Sequence, residues 1–128
     1  MGQQQLLLIV LGVIVVGIAV VVGINLFNAN AVSSNRDGVV SDLNNLGAMA
    51  QQFYKKPTSM GGGGNTFTGF ALPAELDSTA NGSYTAGFVV AAQSVTIVGY
   101  GTENGPNGSK IQHTGTVSPT SITVVKDN

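Results

Sequence analysis

The sequence predicts an α+β fold: a long N-terminal α-helix, apolar in its first half and amphipathic in its second, packed on a small C-terminal antiparallel β-sheet. Three observations predict it. Leu6 to Ile24 is a run without a single polar side chain. Apolar residues then recur at steps of three and four as far as Tyr54. Beyond Pro57 the chain is rich in Gly, Ser, Thr and Asn, with short β-branched runs between turn signals.

The apolar run holds fifteen Leu, Ile or Val residues, three glycines and one alanine, and nothing before Arg36 carries a side-chain charge. As a helix it spans roughly 28 Å, close to the ~30 Å hydrocarbon thickness of a bilayer. Burying its side chains at ~1.5–3 kcal/mol each is worth on the order of 20–45 kcal/mol, more than the ~5–15 kcal/mol that holds a small domain folded. The run therefore decides where the protein resides. Eleven of the fifteen aliphatics are β-branched, which weakens a helix in water. In lipid a lone span satisfies its backbone only as a helix. Gly12, Gly17, Ala19 and Gly23 are small enough to let helices approach one another. A secretory signal would show a basic start, a shorter core and a small-residue cleavage site. A single-span anchor usually shows Lys or Arg on its cytoplasmic flank. Both immediate flanks here are neutral. A basic leader removed by proteolysis accounts for that, with Met1 then the first residue of the mature chain.

Past Ile24 the helical period continues through Val32, Arg36, Val39/Val40, Leu43, Leu46/Gly47, Ala50 and Phe53/Tyr54, with Ser33, Ser34, Asp37, Ser41, Asp42, Asn44, Asn45, Gln51 and Gln52 as a solvated back. Lys55 and Lys56 suit a helix C-terminus, and Pro57 discourages continuation. One helix from about Gln3 to Tyr54, roughly 78 Å long, follows; a break at Asn28–Asn30 is the alternative. Residues 57–65, PTSMGGGGN, read as a flexible loop. Strands are expected at Ser83–Ala91, Val95–Gly101, Lys110–Thr116 and Ile122–Lys126, separated by turn signals such as Asn104-Gly105-Pro106-Asn107-Gly108. The sheet should lay one face on the helix stripe, because a head so poor in large apolar groups could scarcely fill a core alone.

Of the 128 residues, 9% are charged, the net charge is −1, and there is no cysteine. That leaves no electrostatic footprint for nucleic acid and excludes disulfides, thiol catalysis and zinc thiolates. His113 is the single histidine, in an expected strand. The acids Asp37, Asp42, Glu75, Asp77, Glu103 and Asp127 form no pair spaced for acid–base work. Asp77-Ser78-Thr79-Ala80-Asn81-Gly82 has the start of a calcium loop, but Phe88 stands where the bidentate acid belongs. The Gly61–Gly64 run lacks the Lys-Ser/Thr of a phosphate cradle. We expect no catalytic residue, no cofactor and no metal, and read the chain as not an enzyme. Asn81-Gly82-Ser83 and Asn107-Gly108-Ser109 match the N-glycosylation pattern, so Asn81 and Asn107 are candidate modification sites.

This layout resembles a type IV pilin, on the strength of Met1 to about Tyr54 followed by a sheet. The resemblance implies three segments: a hydrophobic membrane and filament-core helix at 1–27, its amphipathic continuation at 28–56, and a glycine-rich loop with a sheet head at 57–128. It implies a structural subunit of an extracellular pilus-like filament, anchored in the membrane before assembly. The partners implied are other copies of the chain, the lipid bilayer, a prepilin peptidase and inner-membrane assembly machinery. A processed, methylated N-terminus at Met1 and a role in cell adhesion belong to the same set. The subunit interface is expected at Gln3, Gln4, Gln5, Leu7, Leu8, Leu11, Ile14, Val15, Ile18 and Val22, with the glutamines meeting neighbours' polar termini. Where many bacterial members carry a glutamate, Gln5 stands, which can accept a hydrogen bond but brings no charge. Cleavage after Gly2 is the alternative frame, making Gln3 the first residue. The alternative role is a membrane-tethered minor pilin or pseudopilin of a secretion machine.

Overall fold

A computed structural model describes residues 2–128. Helix α1 runs from Gly2 to Lys55 and continues through Asn28–Asn30, where the alternative reading placed a break. The chain divides into two compact units, Met1–Ala31 and Val32–Asn128. In the first, every described residue up to Asn30 is exposed. The second holds the amphipathic part of α1 and an antiparallel sheet, the α+β arrangement read from the sequence.

The C-terminus of α1 is closed by the glycine run. Lys55 lies in its last turn, where a cation complements the helix dipole. The main-chain N–H groups of Gly63, Asn65 and Gly64 donate to the carbonyls of Phe53, Tyr54 and Lys56 at 2.8, 2.8 and 3.0 Å. These carbonyls would otherwise be left without intrahelical partners. A short 3-10 turn, Thr58–Met60, shapes the loop. Residues 57–65 are therefore a built cap, not the flexible loop expected from composition. Glycine is required at 63, because a Cβ there would lie 1.8 Å from the Thr66 carbonyl oxygen.

Six strands follow: β1 Ser78–Thr79, β2 Gly82–Ser83, β3 Val89–Val90, β4 Val95–Asn104, β5 Lys110–Val117 and β6 Ile122–Lys126. The order across the sheet is β1-β2-β4-β5-β6, with β3 also paired to β4. β5 and β6 match their expected spans almost residue for residue, and β4 runs three residues past Gly101. The expected strand Ser83–Ala91 is instead two short pieces, β2 and β3, both on the same edge of β4. A turn at residues 85–88 makes the interruption, its Phe88 N–H reaching back to the Thr85 carbonyl at 3.4 Å. Tyr84, just before it, keeps the alternation of β2: its side chain is fully buried, and its N–H donates to the Asp77 carbonyl at 2.9 Å. β1 lies within the incomplete calcium-loop sequence, where no strand was expected.

The core forms between one stripe of α1 (Val39, Leu43, Leu46, Ala50) and the inner face of β4 and β5 (Val95, Ile97, Ile111, Val117), joined by Phe67 and Tyr84. Period-two alternation puts Gly99 and Gly101 on that face too. A Cβ at Gly99 would sit 2.8 Å from Val39 Cγ1, and one at Gly101 2.2 Å from Asn35 Oδ1. These two glycines let the helix approach the strand closely. The residue seated over Gly101 is polar for a reason. A register shift between Tyr100 and Asn104 breaks the β4–β5 ladder. Asn35 Oδ1 accepts from the N–H groups of Thr102 and Glu103 at 2.9 and 3.1 Å, while its Nδ2 donates to the Asn81 carbonyl at 2.7 Å.

Asn35→Ala removes three hydrogen bonds at a buried position. We expect a loss of about 1–3 kcal/mol in unfolding free energy, read from urea melts of the full chain in detergent. The exposed Asn44→Ala on the same helix should cause no loss, alanine being the better helix former, and equal melts for the two variants would remove Asn35 from this role.

Candidate assembly surface

The surface that stands out is the first half of α1. Every Leu, Ile and Val from Leu6 to Ile24 is at least 51% exposed, and Leu26 and Phe27 extend the surface at 62% and 73%. The most apolar window of the helix has a mean hydropathy of 3.3, long and apolar enough to cross a membrane.

The expected interface residues all lie on this helix and all are exposed: Gln3, Gln4, Gln5, Leu7, Leu8, Leu11, Ile14, Val15, Ile18 and Val22. By helical period the seven aliphatics share one face. Exposure does not distinguish that face from the other, where Ile9, Val10, Val13, Val16 and Val20 are bare to a similar degree. Met1, the expected processed N-terminus, lies outside the described residues. Leu26 and Phe27 prolong the apolar surface beyond Ile24, within the hydrophobic segment 1–27 expected above. One feature escaped the sequence reading, a contrast among glycines. A Cβ at Gly38 would meet Asn81 and one at Gly47 would meet Ile122, whereas a Cβ at Gly12, Gly17 or Gly23 would meet nothing among the described residues within 4 Å.

The second unit holds Asp42, Tyr84 and His113, the titratable groups that its packing draws in. Asp42, expected on the solvated back of the helix, is half-buried. Its Oδ2 accepts from Tyr84 Oη at 2.5 Å, Thr79 Oγ1 at 2.7 Å and Asn81 Nδ2 at 3.2 Å. Burial alone would push its pKa up, but the three hydrogen bonds outweigh burial and hold the carboxyl below the usual range. Burial, then the Asp42 hydrogen bond, push the Tyr84 hydroxyl well above its ordinary value. The calcium-loop residues Thr79 and Asn81 thus point donors at a carboxylate, the reverse of what a cation site requires. Among the described residues no three acids or histidines cluster as a metal site would.

His113 lies on the inner face of β5, 5% exposed, and its Nδ1 has no hydrogen-bond partner among the described residues. Burial and the nearby Arg36 charge hold it below its ordinary pKa and so neutral, despite the opposing Asp127. Arg36 itself donates to the Asn128 main-chain oxygen at 2.5 Å. Of the two candidate glycosylation sites, Asn81 is half-buried and Asn107 exposed. No protein-family model, curated protein or solved structure matches the chain.

Asp42 and His113 both have folded pKa values below their unfolded ones, near 3.8 and 6.5. Their contribution to stability is therefore complete above about pH 6.5. It should fall as the pH drops, the His113 part first and the Asp42 part below about pH 4. Thermal melts of the full chain in detergent should show a midpoint that declines from pH 7 to 5. His113→Gln should flatten that decline; an unchanged slope would mean another group titrates.

Proposed function

We propose that the chain is a structural subunit of a pilus-like extracellular filament, held together by helix–helix packing of Leu6 to Phe27. The observation that carries the reading is the all-round apolar surface of a helix whose other half belongs to a head with its own core. A surface of that kind has two environments open to it, a bilayer and other copies of the same helix. The resemblance to type IV pilins supports passage from the first to the second, with a prepilin peptidase and membrane assembly machinery as partners. Gln3, Gln4 and Gln5 then supply polar contacts where the helix N-terminus meets its neighbours. Other copies supply the surface that Gly12, Gly17 and Gly23 leave open, with the dry contact made by the aliphatics around them.

Val16→Asp places a carboxylate in the middle of the apolar surface, at a cost of ~3 kcal/mol in hydrocarbon for each subunit. Wild-type protein transferred out of detergent should form fibres of uniform width in negative stain. Val16→Asp should form none, while its head melts at the wild-type temperature, and Thr123→Ser on the exposed side of β6 should assemble normally. Fibres of normal width from Val16→Asp, or lipid-free wild-type protein that stays monomeric, would overturn the filament reading. The monomeric outcome in detergent is the one expected of a minor pilin or pseudopilin.

A further inference from the structure

The two Asn-Gly-Ser triplets carry the same acceptor pattern for N-linked oligosaccharide, and the fold treats them in opposite ways. Asn81 is turned toward α1. Its Nδ2 donates to Asp42 at 3.2 Å, its carbonyl accepts from Asn35 at 2.7 Å, and its Oδ1 lies 2.5 Å from where a Cβ on Gly38 would stand. The next residue, Gly82, is buried and paired with Gly101 of β4. An amide held there reaches an enzyme only if the β1–β2 hairpin leaves the helix.

Asn107 stands in the turn between β4 and β5, and Asn107, Gly108 and Ser109 are all exposed. The turn is closed from within. Asn107 Oδ1 accepts from the Ser109 N–H at 2.9 Å, and the Gly105 N–H donates to the Ser109 carbonyl at 2.7 Å. Gly108 takes a φ of 83°, a conformation that suits glycine and makes the reversal. The Asn107 amide nitrogen is committed to no acceptor among the described residues. An oligosaccharide attached there would displace no contact of the fold and would hydrate a surface on which charge is sparse.

We propose that Asn107 is an acceptor for N-linked oligosaccharide on the folded head and that Asn81 is not. The proposal rests on the reading of the head as an exported surface. The co-substrate is an oligosaccharide carried on a lipid pyrophosphate. Nδ2 of Asn107 attacks C1 of the first sugar, the C1–O bond to pyrophosphate breaks as the C1–N bond forms, the amide proton passes to the enzyme's base, and the lipid pyrophosphate leaves.

The test uses the folded full chain in detergent micelles, a purified oligosaccharyl transferase and its lipid-linked donor. Cleavage after Glu75 and Glu103 separates the triplets into peptides 76–103 and 104–128, which are weighed by mass spectrometry. The same two peptides, offered free to the enzyme, give the unfolded reference. The folded chain should gain the oligosaccharide on 104–128 alone, both free peptides should accept it, and Asn107→Gln should lose it from the folded chain. Transfer to 76–103 of the folded chain, or none to 104–128 while the free peptide accepts, would overturn the assignment. Because the readout is made on dispersed protein, a chain that fails to form fibres leaves this result intact, and a failure here leaves the filament reading intact.

Discussion

The constraint on which the rest depends is that the first half of α1, among the described residues, leaves its apolar side chains unburied. Fifteen Leu, Ile and Val side chains between Leu6 and Ile24 stand more than half exposed. Returned to an apolar environment, they gain on the order of 20–45 kcal/mol. No arrangement of the head could compete with a term that exceeds the ~5–15 kcal/mol of a typical domain. The head accordingly keeps an independent core, with Val39, Leu43, Leu46 and Ala50 of the helix buried against β4 and β5. The polypeptide thus separates two burial problems along one helix: the second half is solved within the chain, and the first is solved outside it.

Within the head, the contact between helix and sheet is specified by polar residues and glycines as much as by hydrophobic area. Gly99 and Gly101 remove the side chains that would hold the helix away from β4, and Asn35 satisfies the two N–H groups that the irregularity in β4 releases. Asp42 gathers Tyr84, Thr79 and Asn81, tying the β1–β2 hairpin to the same helix. Aliphatic packing tolerates small slides of a helix along a sheet. Hydrogen bonds of 2.5–3.2 Å from fixed backbone and side-chain positions do not. A head with few large apolar residues gains its uniqueness of packing from these bridges, whose loss strands buried polar groups.

Much of this was legible in the sequence because it rests on periodicity. The three-and-four spacing from Val32 to Tyr54 identified the packed stripe, and alternation in Val95–Tyr100 and Ile122–Val125 identified two strands. What was not legible depends on contacts far apart in the chain. Asp42 reads as one more polar residue on a wet helix face until Tyr84, 42 positions on, brings its hydroxyl to it. The expected strand Ser83–Ala91 is divided by a turn at residues 85–88, where Gly87 lies against Val98 of β4 with no room for a side chain, a close approach that composition does not show. The glycines at 61–64 look like slack because their composition shows freedom and not the carbonyls of Phe53, Tyr54 and Lys56 that the loop must reach. For the assembly surface, sequence supplied the whole answer about chemistry and almost none about geometry. A helix apolar on every side has no moment to name the face that meets a neighbour.

The glycines of that half nevertheless bear on what its partner is. Each glycine in a helix interior costs about 1 kcal/mol relative to alanine in water, and Gly12, Gly17 and Gly23 face nothing among the described residues that a methyl group would strike. Gly38 and Gly47, by contrast, sit where Asn81 and Ile122 leave no room for one. A bilayer offers no rigid surface that would penalise a methyl group, and lipid tails gain little from a groove. A neighbouring helix gains van der Waals contact from closer approach, which is the main attraction between helices once water is gone. By helical period Gly12, Ala19 and Gly23 fall on one side and Gly17 on another. Two directions of close approach suit a helix surrounded by copies better than one paired once. The β-branched residues between them add to this, because Val and Ile in a helix are already nearly confined to one rotamer and lose little further freedom when packed. Both properties favour packing of this helix against other helices over a solitary place among lipid tails.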